Sequence, residues 1–265
     1  MPAFLNGTAE MHRIRGLLLF LAFGAFALTV GVPGAGAFES RVSAAMTPDF
    51  IRFFDTLALT ADYGPFNNRP PWVRKWNGPV RIALDPSAER LRHEVEHIAA
   101  RFTAWTDLPF AVLPPGSTAT PDSGNLITVE LLSREAFQRT YKTHDVVCQT
   151  ETHGVGGTLQ VGYMVLSEGY TDCLRHEFMH ALGFDSHWYP QQPNPIRSVL
   201  AYRESVARAD DYSPWDIQAI RLLYDWRIRA GMSRQKSLRI AHEVISERPQ
   251  SAALPVASQL DSTIR

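Results

Sequence analysis

Cysteine is nearly absent from this sequence, with two residues in 265. So few exclude a disulfide-dense scaffold, and their wide separation argues against a cysteine zinc site, which uses close pairs such as C-x-x-C. An excess of charge is also missing, with 26 Lys+Arg against 27 Asp+Glu and a formal net charge of −1. Bulk electrostatic binding to nucleic acid requires a basic excess, so no nucleic-acid partner is expected. Disorder requires low hydrophobicity or a large net charge, whereas 45% of this chain is hydrophobic. No internal repeat is found, and beyond residue 37 no apolar run approaches the roughly 20 residues that span a bilayer. What remains is a globular chain.

Residues 1–37 read as a signal peptide. His12, Arg13 and Arg15 precede an uncharged run over 16–32, and Ala35-Gly36-Ala37 offers a small-residue cleavage site. The expectation is an exported protein, periplasmic or secreted, whose mature chain begins at Phe38 and has no membrane span; a retained anchor is the alternative. Export implies an oxidising compartment, so Cys148 and Cys173 are expected to pair. Closing that loop of about 26 residues is worth about 3–4 kcal/mol in the chain-entropy model.

The mature chain reads as one mixed α/β domain. Residues 38–79 form an N-terminal segment that ends in a Pro- and Asn-rich loop over 64–79. A strand is expected over 80–84. Asp85-Pro86 then supplies an N-cap and an N1 proline for a helix to about Trp105, with Leu91, Val95, Ile98, Phe102 and Trp105 inward. Strands at 126–132 and 158–166 flank a short helix at 134–141. A helix from about 171 stops at Gly183, the residue type that suits a left-handed cap. Two more helices are expected, from Ser213-Pro214 to about Arg229 and over 233–244, and 247–265 reads as a flexible tail.

Chemistry is concentrated in a motif that occurs twice, His93-Glu94-Val95-Glu96-His97 and His176-Glu177-Phe178-Met179-His180. On a helix, positions i and i+4 place two imidazoles on one face to grip zinc, and the Glu between them reaches a water as general base. Helical phase does not separate the copies, since both histidine pairs lie opposite an apolar stripe. The neighbourhood does. The first copy continues as helix among charged residues 92, 94, 96 and 101, and reads as a solvated face. The second is followed by a glycine stop and Phe184-Asp185-Ser186-His187, where the chain can turn back to present a third ligand.

The run His176-Glu177-Phe178-Met179-His180-Ala181-Leu182-Gly183 resembles the start of the metzincin signature H-E-x-x-H-x-x-G-x-x-H. Ser198-Val199-Leu200-Ala201-Tyr202 resembles the Met-turn of astacin-like and serralysin-like proteases. The 216–224 helix resembles the one that closes matrixin and serralysin domains. The C-terminal pattern through Gly231-Met232-Ser233 also resembles an exported bacterial family of unknown function with a zincin-like core. The chain departs from the signature at Ser186, where the third histidine is expected, and at Leu200 in place of the methionine. His187, one place later, is the favoured third ligand, followed by Asp185 and then Glu204.

The resemblance implies an α/β (α+β) zincin-like fold spanning about residues 80–246. Its parts are a mixed twisted sheet, a long backing helix, an active-site helix and a helical C-terminal subdomain. It implies an exported zinc-dependent endopeptidase acting on a peptide or protein substrate. One catalytic Zn2+ is held by His176, His180 and His187, with Glu177 as general base and Tyr202 reaching the metal or the oxyanion. Leu159, Val161 and Tyr163 mark a sheet edge that pairs with extended substrate, and a Cys148–Cys173 bridge ties the segment before that strand to the zinc helix. Two other readings are an inactive zincin-like binding protein and a zinc amidase of cell-wall peptides. Asp49, Asp55 and Asp62 are the N-terminal carboxylates able to cap a metal.

Overall fold

The structure, a computed structural model, describes residues 47–60, 72–117, 124–142, 146–189, 196–202, 205 and 207–247. Residues 1–37, expected as a signal peptide, Asp62, Glu204 and residues 248–265, expected as a tail, lie outside the described residues. Among the described residues the fold is mixed α/β, with six helices and a five-stranded, mostly parallel sheet. No described helix is long and apolar enough to cross a membrane.

The sheet contains β1 (Val80–Leu84), β2 (Phe110–Val112), β3 (Leu126–Leu132), β4 (Cys148–Val155) and β5 (Thr158–Ser167). Its order is β2-β1-β3-β5-β4, and only β4 runs antiparallel to its neighbour. The register places Ile82 beside Ile127, and Val129 beside Met164, so these apolar side chains share one face. On that face pack α2 (Arg92–Thr106) and α4 (Leu174–Ala181), which meet where Phe102 and Phe178 cross edge to face at 6.0 Å. The expected helix from Asp85 begins as a 3-10 turn over Pro86–Leu91, with the Asp85 side chain accepting from the Ser87 N–H, and becomes α-helical only at Arg92.

The N-terminal segment is more ordered than its composition suggests. Thr47–Leu59 forms α1, whose Phe50, Phe53, Phe54 and Leu57 fall at helical spacing and are buried. Phe50 and Phe53 pack on the Trp215 ring, and Phe53 meets the Trp188 ring edge-on at 5.0 Å. The stretch 72–77, expected as loop, is a strap that buries Val73, Lys75 and Trp76. Val73 exchanges hydrogen bonds with Met232 and Gly231, Lys75 does so with Gly157 and Leu159, and the Trp76 indole donates to Ala181 O at 2.8 Å.

That strap ends two helices. The Ala181 and Leu182 carbonyls, which α4 leaves without intrahelical partners, receive the Trp76 indole and the Tyr224 hydroxyl. Gly183 follows with φ +106°. The helix expected to run to Arg229 stops earlier, as α5 (Pro214–Leu223), because buried Lys75 collects the carbonyls of Leu223, Asp225 and Ile228. Burial lowers the Lys75 ammonium to about 8. The last helix, α6, spans Arg234–Glu247, and α3 spans Arg134–Tyr141.

A side chain at Gly183 has no room, since its Cβ would lie 2.1 Å from Arg74 O in a backbone region that L-residues avoid. Gly183→Ala is expected to destabilise the fold by about 2–4 kcal/mol, read as a lower urea midpoint. An unchanged midpoint would show that the strap is not seated as described.

Candidate metal centre

Helix α4 carries His176, Glu177 and His180, exposed by only 8%, 4% and 4%. The first motif differs in that respect: His93 and His97 are exposed, while Glu94 pairs with Arg175 and Glu96 with Arg92. A solvated face is therefore what the 93–97 copy presents. Tertiary burial, rather than helical phase, separates the two copies.

Each helix histidine is anchored through its far nitrogen. His176 Nδ1 lies 2.7 Å from Val199 O, and His180 Nδ1 lies 2.6 Å from Phe184 O. A carbonyl only accepts, so both Nδ1 atoms carry the proton and both Nε2 atoms present lone pairs. Those lone pairs converge: His180 Nε2 is 3.1 Å from His176 Nε2, which is 3.2 Å from His187 Nε2. Burial, followed by the neighbouring His180 and His187, holds the His176 imidazole well below its usual range and so neutral. Facing lone pairs repel unless a cation sits among them. Three nitrogens held at about 2.1 Å from one ion at tetrahedral angles are about 3.4 Å apart, so the donor set fits a first-row divalent metal with little adjustment.

His187 is delivered by the turn after Gly183. Its neighbour Trp188 donates its N–H to Leu200 O at 2.9 Å, pairs as a bridge with Ala201, and is buttressed by Phe53 of α1. Asp185, the second candidate ligand, faces elsewhere. Arg74 Nη1 donates to both of its carboxylate oxygens, at 2.7 and 2.8 Å, while Nη2 donates to the Thr152 carbonyl and hydroxyl of β4. Asp49 and Asp55 are likewise engaged away from the histidines, with Arg52 and Arg234. Ser186, the signature position, is fully buried and its hydroxyl has no partner among the described residues.

The 198–202 turn is tied to the start of α5 by a buried carboxylate. Asp216 is fully buried and accepts from Ser198 Oγ at 2.6 Å, Val199 N at 3.1 Å and Ser213 N at 2.9 Å. It completes a capping box with Ser213 at the start of α5. The S-x-x-D spacing is legible in sequence as a cap, but its second use, holding the turn that offers Val199 O to His176, is not. Leu200 is fully buried in this turn. Tyr202 stacks on the His187 ring at 4.5 Å, and its hydroxyl is hydrogen-bonded to that of Tyr189.

The Glu177 carboxylate has Oε2 buried without a hydrogen-bond partner among the described residues, and it groups with the sulfurs of Cys148 and Cys173, within 4.8 Å, rather than with the three imidazoles. Burial raises its carboxyl to about 7, against the opposing pull of Thr150 and of the Arg208 charge. Thr150 of β4 also donates its hydroxyl to the Glu177 carbonyl at 3.2 Å. Cys148 and Cys173 are disulfide-bonded, joining the first residue of β4 to the turn that starts α4.

The substrate-edge assignment is corrected. Leu159, Val161 and Tyr163 lie in β5, an interior strand: Val161 pairs with both Leu126 and His153, and Tyr163 with both Thr128 and Glu151. The outer strand beside α4 is β4. Its sequence CQTETHGV is too polar to show the alternation that marks a half-buried strand, and that is why it escapes a pattern reading.

Comparison with known proteins gives no kinship: no family model, no curated protein and no solved structure matches the chain. The Asp216 arrangement is directly testable. Asp216→Ala strands three buried donors and is expected to cost about 3–5 kcal/mol in thermal or chemical unfolding. Burial raises this carboxyl from 3.8 to about 6. The folded chain therefore keeps a proton that the unfolded chain has lost between those values, and this group's share of stability falls as pH rises through that window. Asp216→Asn is expected to flatten that slope; an unaltered slope would mean another group governs it.

Proposed function

We propose that this chain is an exported, zinc-dependent endopeptidase of zincin-like, metzincin-like fold. The observation that carries the reading is the convergence of three imidazole Nε2 atoms, two of them with tautomer fixed by carbonyls, on a helix that also bears the buried carboxyl of Glu177. His176, His180 and His187 would hold the ion. When bound, zinc supplies the Lewis acidity that polarises a scissile carbonyl and lets a water lose its proton near neutral pH.

The chain's own residues do the rest. Glu177 takes the proton from the attacking water and passes it to the nitrogen of the leaving amine as the C–N bond breaks. A carboxyl raised to about 7 suits both halves of that transfer. Strand β4 offers an outer edge to which an extended peptide can add as a further strand, with the disulfide and Thr150 holding that edge against α4. Tyr202, stacked on His187, is the phenol we assign to donate to the developing oxyanion. The targeting segment and the disulfide support export.

The mature chain is expected to purify with about one zinc, and His176→Ala to lose it, read by elemental analysis. Glu177→Gln should keep the metal and lower peptide hydrolysis at least about 100-fold. Full residual proteolysis in that variant would remove Glu177 from the mechanism. A well-folded, metal-free protein would instead favour a non-catalytic binding role.

A further inference from the structure

Arg208 is the one cation whose charge acts on both His176 and Glu177 among the groups that perturb them, and neither the fold nor the proposed hydrolysis uses it. It sits on the segment returning from the 198–202 turn, fixed by a bridge to Ser198 and by hydrogen bonds from Ser198 N to Ala207 O and from Ala209 N to Ser198 O. Arg197 further pins its carbonyl. The backbone is therefore set, and the half-buried side chain reaches from the turn to the start of α4. Nη1 lies 3.5 Å from Ala201 O and Nη2 lies 3.4 Å from Asp172 O.

Those contacts are long for a guanidinium, whose charge-assisted bonds run about 2.7–2.9 Å, and both acceptors are neutral. Nearby arginines are better served. Arg74 holds Asp185, Arg101 holds Asp211, and Arg175 holds Glu94 and Asp211. Among the described residues Arg208 makes no ion pair. A planar fork of donors, half desolvated and without an ion pair among the described residues, is an arrangement that can receive a carboxylate bidentately.

Resting on the endopeptidase reading of the same site, we infer that Arg208 is a specificity-determining residue that binds a carboxylate of the peptide substrate over the start of α4. The substrate class is then peptides with an acidic side chain, or a free chain-terminal carboxylate, close to the bond that is cut. A basic residue at that place is disfavoured by Arg208 itself.

The test uses zinc-loaded mature protein carrying Glu177→Gln, so that binding is read without turnover. Fluorescent peptides blocked at both ends and differing only by Glu, Gln or Lys at one scanned position form the first arm. Peptides without Glu, with free or amidated C-termini, form the second. The expected result is about ten-fold tighter binding of the carboxylate-bearing member in one arm, which also identifies its source. Adding Arg208→Ala should abolish that preference, Arg208→Lys should retain part of it, and Arg208→Glu should shift it towards Lys. Equal binding in both arms, no measurable binding, or a preference that survives Arg208→Ala overturns the assignment. If Arg208→Ala fails to fold, the Lys and Glu variants carry the comparison. Should wild-type protein cleave nothing while the Arg208-dependent preference holds, the endopeptidase reading fails and the carboxylate site stands. Cleavage without charge preference gives the converse.

Discussion

Two short hydrogen bonds, from His176 Nδ1 to Val199 O and from His180 Nδ1 to Phe184 O, organise the centre of this molecule. Because a carbonyl cannot donate, each bond selects one tautomer and turns the opposite nitrogen's lone pair inward. A bare helix with histidines at i and i+4 does not by itself fix the rotation or the tautomer of either ring. The difference between a surface pair and a metal centre is thus the supply of correctly placed carbonyls.

Much of the remaining structure serves to hold those carbonyls still. Phe184 O lies just past the end of α4, where Gly183 lets the chain reverse against the strap and Arg74 clamps Asp185 to β4. Val199 O lies in a turn whose amide and serine hydroxyl are bound by Asp216, itself fixed at the first turn of α5. Neither Arg74 nor Asp216 joins the histidine cluster. Each acts through a main-chain segment that does, and their complete or near-complete burial makes these polar contacts costly to lose.

Sequence pattern captured what periodicity and motif spacing can encode. The cores of β1, α2, β3 and β5, the glycine end of α4 and the pairing of the two cysteines all follow from local rules. The third histidine was accessible too, despite falling one place beyond the signature position, because the turn after Gly183 accommodates the longer reach. What escaped is governed by contacts distant in sequence. The strap lies within the Pro- and Asn-rich stretch 64–79 and so reads as loop, yet its backbone pairs with two remote segments. β4 is polar because its outer edge and one face meet solvent, and α5 stops where a lysine from the strap takes its carbonyls. The role assigned to β5 failed for the same reason, since being an edge is a property of the sheet and not of the strand.

Strap geometry also bears on when the centre comes into being. Lys75 binds carbonyls 148 and 153 positions later in the chain, and Trp76 caps a helix 105 positions away. A chain that emerges from its amino end has all three histidines long before residue 228 arrives to complete the cap. The imidazoles are therefore gathered only in the finished polypeptide, with the slow assembly that such long loop closures impose. A site built from these three imidazoles is then completed late, after the distant carbonyls of Leu223 and Ile228 have reached Lys75.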